Sequence, residues 1–136
     1  MLVALVGLAG TACGDSRPDI VLVTFDALRR DHVGAYGWKL PGPSPTPRLD
    51  QVAEQARVFE GALTPMPSTS PALVSLFTGL APRDHGVLRD GDLVTEELAA
   101  TRSLPRRLVA AGYRAAAFVA PGAFGPRGMG LGLGMV

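Results

Sequence analysis

Two places in this chain carry side chains suited to chemistry. The first is Asp26, which ends the apolar run "DIVLVTF". Open α/β sheets bind ligands at the carboxyl ends of their strands. A carboxylate there offers hard oxygens to a divalent cation, or it caps the following "ALRR" turn. The second place is "STSPALVSLFTG", where Ser68, Thr69 and Ser70 precede Pro71. Proline suits the first helical position, which makes Ser70 the expected N-cap and leaves Thr69 just ahead of the helix. A helix N-terminus presents unpaired N–H groups and the positive end of the dipole, suited to a sulfate or phosphate group. A nucleophile there would meet an anionic ester already oriented. An alkyl hydroxyl still needs a base or a metal to lower its pKa, and Asp26 with a cation would supply that. On spacing alone, capping is the simpler account of the hydroxyls.

Only two histidines are present. His32 and His85 both sit beside turn glycines, and both read as structural hydrogen-bonding groups. Arg29, Arg30 and Asp31 read as a solvated or locally paired charge cluster.

The elements that must position these groups follow from the pattern of apolar residues. Ile20 to Phe25 is β-branched and aromatic without alternation, as in a strand buried on both faces. "WKLPGPSPTPRLD" is a loop. Thr46 as cap and Pro47 behind it open a helix whose Leu49, Val52, Ala53 and Ala56 share one face. Val58 to Leu63 fits a short strand. Ala72 to Phe77 reads as a helix ending near Gly79, "APRDHGVL" as a turn, and Asp90 to Glu97 as polar and poorly defined. Leu104 to Ala111 makes a helix closed by Gly112. Tyr113 to Ala120 reads as a second buried strand. Strands alternating with helices argue for an α/β protein with a largely parallel sheet. Two buried strands and one short one are fewer than a stable doubly wound sheet uses, so a truncated fold is expected.

The 136 residues fit one domain by length. The formal net charge is +1, which gives no reason to expect a nucleic-acid partner. Hydrophobic residues make up 47%, enough for a core. The opening "MLVALVGLAGTA" is too short to span a bilayer and is similar to the apolar part of an export signal. The single cysteine, Cys13, follows in "GTACGDS", a stretch that resembles the cleavage box of bacterial lipoproteins. Residues 1–13 are therefore expected to be a signal or lipoprotein-like segment, with Cys13 carrying the lipid. An ordinary export signal is the alternative. Residues 121–136 are a Gly-rich, incomplete end.

Four blocks in order, "RPDIVLVTFDALRRDHVGAYG", "TPRLDQVAEQARVFEGAL", "STSPALVSLFTGLAPRDHGV" and "LPRRLVAAGYRAAAFV", resemble the amino-terminal part of the sulfatase family, in the alkaline phosphatase superfamily. The resemblance covers residues 17–120. It implies a partial alkaline-phosphatase-like sandwich with a mostly parallel central sheet, flanking helices and a truncated end. It places Asp26 on the first metal-binding aspartate, with Ala27 where a second aspartate is common. It places Thr69 on the nucleophile, also a metal contact, with Ser70 as fallback. The family's Cys/Ser-x-Pro-x-Arg signature, whose first residue becomes formylglycine, here reads Thr69-Ser70-Pro71-Ala72-Leu73. With neither the cysteine nor the arginine present, formylglycine chemistry is not expected. Threonine at this place is similar to the phosphodiesterase and phosphoethanolamine-transferase branches, which use a metal-activated threonine.

The family's Gly-Lys-Trp-His-like segment is "PGAFGPRG" here, with Arg127 its one cation. The later Asp-Asn or Asp-His half of the metal site has no counterpart before Val136. The implied cofactor is a divalent metal ion, calcium, or zinc or manganese given the threonine. The implied partner is a small-molecule or glycan sulfate or phosphate ester. The implied location is the periplasm or cell envelope, with membrane attachment through Cys13. A non-catalytic envelope lipoprotein that keeps the scaffold is the alternative, and a phosphoethanolamine-type transferase ranks behind it.

Overall fold

The computed structural model describes residues 2–8 and 17–118. Cys13, the segment from Pro121 onward with Arg127, and Val119 and Ala120 lie outside the described residues. Two compact units divide at Ala62 and Leu63.

In the first unit, strand β1 (Leu2–Leu8) runs antiparallel to β2 (Asp19–Phe25), with Leu2 opposite Phe25 and Leu8 opposite Asp19. The β-branched run forms the expected strand, but not a strand covered on both faces. Ile20, Val21 and Val23 are exposed. Among the described residues its one hydrogen-bonded neighbour is β1. The described residues thus form an antiparallel pair where a mostly parallel sheet was expected. The other two expected strands also differ. Residues 58–63 are irregular, with a turn at Glu60 and Gly61. Residues 113–118 are irregular too, and Phe118 is 100% exposed. Apolar β-branched composition marks a segment that can be a strand, but a strand exists only where a second backbone pairs with it.

After β2 the chain makes two short 3₁₀ turns, Arg30–His32 and Gly34–Tyr36, and then helix α1 (Pro47–Glu54). Thr46 and Pro47 stand at the helix start as expected, yet the Thr46 hydroxyl does not cap it. It accepts the Gly34 N–H at 3.0 Å and donates to Asp50 Oδ1 at 3.2 Å. The same Asp50 oxygen accepts the Ala35 N–H at 2.8 Å. The polar side of α1 thereby holds the second 3₁₀ turn in place. Leu49 and Ala53 are half-buried, while Val52 and Ala56, expected on the same face, are exposed. Arg29 grips Asp31 through two bonds, of 3.0 and 2.6 Å, and His32 Nδ1 lies 3.1 Å from the same carboxylate. Asp31 is held well below the usual carboxylate range, first by Arg29 and then by His32.

In the second unit, helix α2 (Thr69–Thr78) is followed by the single turn α3 (Pro82–His85), then α4 (Glu96–Arg102) and α5 (Leu104–Ala110). The core joins Leu73 and Val74 of α2 to Val87, Val94 and Ala99, with Leu76, Phe77 and Leu98 against it. Val74 and Val87 are wholly buried, each worth roughly 1.5–3 kcal/mol over exposure. Gly79 ends α2 in the left-handed region, at φ 71°, and its N–H bonds the Ser75 carbonyl. The Thr95 hydroxyl caps α4 by accepting the Leu98 N–H at 3.3 Å.

Ser103, between α4 and α5, is wholly buried, and its hydroxyl has no hydrogen-bond partner among the described residues. A buried hydroxyl without a partner keeps its desolvation cost, about 1–3 kcal/mol, uncompensated. Ser103→Ala is therefore expected to leave the thermal midpoint unchanged or to raise it. A fall of several degrees would mean that the hydroxyl is bonded in solution.

Candidate active site

Asp26 follows β2 and is exposed. Its Oδ1 accepts the Ala27 N–H at 3.0 Å, and Ala27 has a φ of 53°. The left-handed region disfavours a residue with a Cβ by roughly 1–2 kcal/mol. The strand therefore ends in a tight reversal that folds the carboxylate back on its own backbone. Arg29, not Asp26, stands at the N-cap of the next 3₁₀ turn.

The hydroxyl cluster is placed differently from the sequence expectation. Helix α2 begins at Thr69, with Ser68 as its N-cap residue, so Thr69, Ser70 and Pro71 are its first three residues. Thr69 is half-buried, whereas Ser70 is 4% exposed. Proline is tolerated throughout the first turn, because none of those N–H groups has a partner inside the helix.

This shift changes what the helix end can offer. Pro71 has no N–H, and the Ala72 N–H is committed to the Ser68 carbonyl at 3.2 Å. The Thr69 and Ser70 N–H groups remain, and both bear on one carboxylate, Asp90. Asp90 Oδ1 accepts the Ser70 N–H at 2.8 Å. The carboxylate is held below its ordinary pKa first by that bond, then by the Ser68 hydroxyl, with the Ser70 hydroxyl and the Thr69 N–H contributing less. The expectation that the unpaired N–H groups of this helix end face an incoming anion is corrected. Asp90 already takes that position. Sequence reasoning passed over this residue as part of a polar stretch. The available signal was Asp90-Gly91, a dipeptide that favours turns, although nothing local ties that turn to a helix twenty residues earlier.

His85 is 5% exposed, and its Nε2 lies 2.9 Å from Ser75 Oγ. The pair has the look of a serine–histidine dyad, but the proton is on the wrong nitrogen. The Val87 N–H donates to His85 Nδ1 at 3.1 Å, which fixes the lone pair there and the hydrogen on Nε2. Nε2 therefore donates and cannot take a proton from Ser75. Burial pushes the His85 pKa below its ordinary value, against hydrogen bonds to the Pro71 and His85 backbone and the Asp84 charge. The folded state thus binds fewer protons at this group than the unfolded state. Stability contributed by neutral His85 is full above about pH 6.5, the unfolded value, and is lost as pH falls through the lower folded pKa. His85→Gln is expected to flatten the stability curve in that window. An equal slope in both proteins would remove His85 as its source.

Leu73, which stands at the signature's arginine position, is buried in the core of the second unit beside Val74 and Val87. A guanidinium there would be buried, and the apolar residue serves packing.

The sulfatase family model matches residues 18–125. The chain belongs to the sulfatase family. The match spans β2, the Asp26 reversal, α1, α2 with Thr69, and the Asp90 loop. No curated protein and no solved structure matches the chain significantly. Sulfatases generally hydrolyse sulfate esters, share an α/β fold of alkaline-phosphatase type and commonly use divalent metal ions. Among the described residues, no group of three or more His, Cys, Asp or Glu side chains gathers where it could hold a metal. Asp26 contributes one carboxylate, and Ala27 beside it contributes none. Calcium takes about six to eight oxygens, so the described residues alone do not fit such an ion. No described helix is long and apolar enough to cross a membrane.

Proposed function

We propose that this sulfatase-family chain belongs to an exported, metal-dependent hydrolase of sulfate or phosphate esters, anchored through Cys13, with Thr69 as nucleophile. The observation that carries the reading is the family match across residues 18–125, and a half-buried threonine on the opening turn of α2 within that range supports Thr69 as the nucleophile. The Thr69 oxygen gives up its proton and forms a bond to sulfur or phosphorus, while the ester oxygen leaves with the bonding pair and takes up the proton released. Water then releases the acid from Thr69. The first turn of α2 fixes the backbone of the nucleophile, and the core beneath Leu73 and Val74 holds that turn. Asp26 is the chain's candidate metal ligand.

The test is turnover of p-nitrophenyl sulfate and p-nitrophenyl phosphate by the full-length protein, with and without a chelator. Turnover that chelation removes supports the reading, and turnover of neither ester by the metal-loaded protein overturns it. The alternative of a non-catalytic envelope scaffold is favoured by one observation: the carboxylate of Asp90 lies on the helix end that an anionic ester would approach.

A further inference from the structure

A preformed turn brings Asp90 to α2. Asp92 Oδ2 accepts the Leu88 N–H at 3.0 Å and the Arg89 N–H at 2.9 Å, and the Asp92 N–H donates to the Arg89 carbonyl at 3.2 Å. Gly91, at φ 95°, closes the turn. The carboxylate so placed accepts the Ser70 N–H at 2.8 Å, and the Thr69 N–H and the Ser68 and Ser70 hydroxyls also bear on it. An ordinary aspartate is ionised at neutral pH. A full negative charge therefore stands on the opening turn of α2, where the Ser70 N–H meets it.

We propose that Asp90 sets the charge class of the ester that Thr69 attacks, favouring singly charged groups over doubly charged ones. Sulfate monoesters and phosphate diesters carry one negative charge, and phosphate monoesters carry two near pH 8 because their second pKa is about 6. Each added charge on the ester is repelled once more by Asp90. At a partly hydrated separation of a few ångströms that repulsion amounts to roughly tenfold in the equilibrium or rate constant. The inference rests on Thr69 as nucleophile. It makes Asp90 a specificity-determining residue that acts through its charge, not a group that bonds to the reacting atom.

Asp90→Asn removes the charge and keeps a side-chain oxygen that still accepts the Ser70 N–H, since asparagine and aspartate serve equally at helix starts. In the full-length protein, kcat/KM for p-nitrophenyl phosphate relative to p-nitrophenyl sulfate is expected to rise roughly tenfold in Asp90→Asn near pH 8. Bis(p-nitrophenyl) phosphate should follow the sulfate ester, and added salt should shrink the difference. An unchanged ratio, or one common factor for all three esters, overturns the proposal and leaves Asp90 a structural cap. A parallel measurement does not need turnover. Methyl sulfate and methyl phosphate are titrated against the Thr69 and Ser70 amide signals of both proteins, and Asp90→Asn must narrow the preference for methyl sulfate. Signals that neither anion moves in either protein overturn the charge filter as well. Loss of Thr69 as nucleophile would show separately, as turnover that persists in Thr69→Ala.

Discussion

Thr69→Ala in the full-length protein is expected to lower kcat by at least roughly 10³-fold, because removing a nucleophile leaves only the binding and electrostatic contributions. The substitution suits this position for structural reasons. Thr69 is the first residue of α2 and is half-buried, so alanine neither breaks the helix nor opens a large cavity. The bond from the Ser70 N–H to Asp90 is made by the backbone and survives. The thermal midpoint should therefore move by no more than about 2–4 °C, the shift of about 1 kcal/mol in a mid-sized domain. Thr69→Ser, which restores a hydroxyl, should recover part of the turnover. Ser70→Ala is the necessary companion, since Ser70 is the alternative nucleophile. Its 4% exposure makes it a packed residue on the buried side of the turn. Full activity in Thr69→Ala with loss in Ser70→Ala would transfer the role to Ser70.

How far the sequence led depended on how local each feature is. The β-branched run after Pro18 announced β2, and the glycines after the last apolar residue announced the ends of α2 and α5 at Gly79 and Gly112. These are short-range signals. The start of α2 was legible only to within one turn, because Pro71 fits any of the first three helical positions. Reading it as the first residue put the cap on Ser70, and the chain uses Ser68. What stands across from a segment was not legible. Nothing in "DIVLVTF" specifies an antiparallel partner, and nothing in "STSP" specifies Asp90. The resemblance carried the family. It also flagged Leu73 as a departure, and the core contact with Val74 and Val87 supplies the physical reason. For His85 the turn glycine suggested a structural role, and the Val87 N–H on Nδ1 explains why the nearby Ser75 does not become a nucleophile.

Gly34→Ala is expected to be the most damaging single methyl group in the first unit. A Cβ at this position would overlap the Asp50 carboxylate and the Ser44 hydroxyl at separations no real contact shows. Neither neighbour can withdraw cheaply. Asp50 accepts the Ala35 N–H and the Thr46 hydroxyl, and the Ser44 hydroxyl accepts the Thr46 N–H at 3.1 Å. The Gly34 N–H itself is bonded to Thr46. Relief of the overlap must break this set or push the 3₁₀ turn off α1. Overpacking alone typically costs about 1–3 kcal/mol, before any lost hydrogen bond is counted. The matched control is Gly37→Ala, three residues on. Gly37 has open space around its Cβ position but a φ of 86°, so its cost is backbone strain of roughly 1–2 kcal/mol without a clash. Hydrogen exchange at the Ala35 amide separates the two. Protection of Ala35 should collapse in Gly34→Ala, where its acceptor is displaced, and persist in Gly37→Ala. Equal protection in both would mean that Asp50 yields without losing its bonds, and the close approach of Gly34 to α1 would then carry no structural weight.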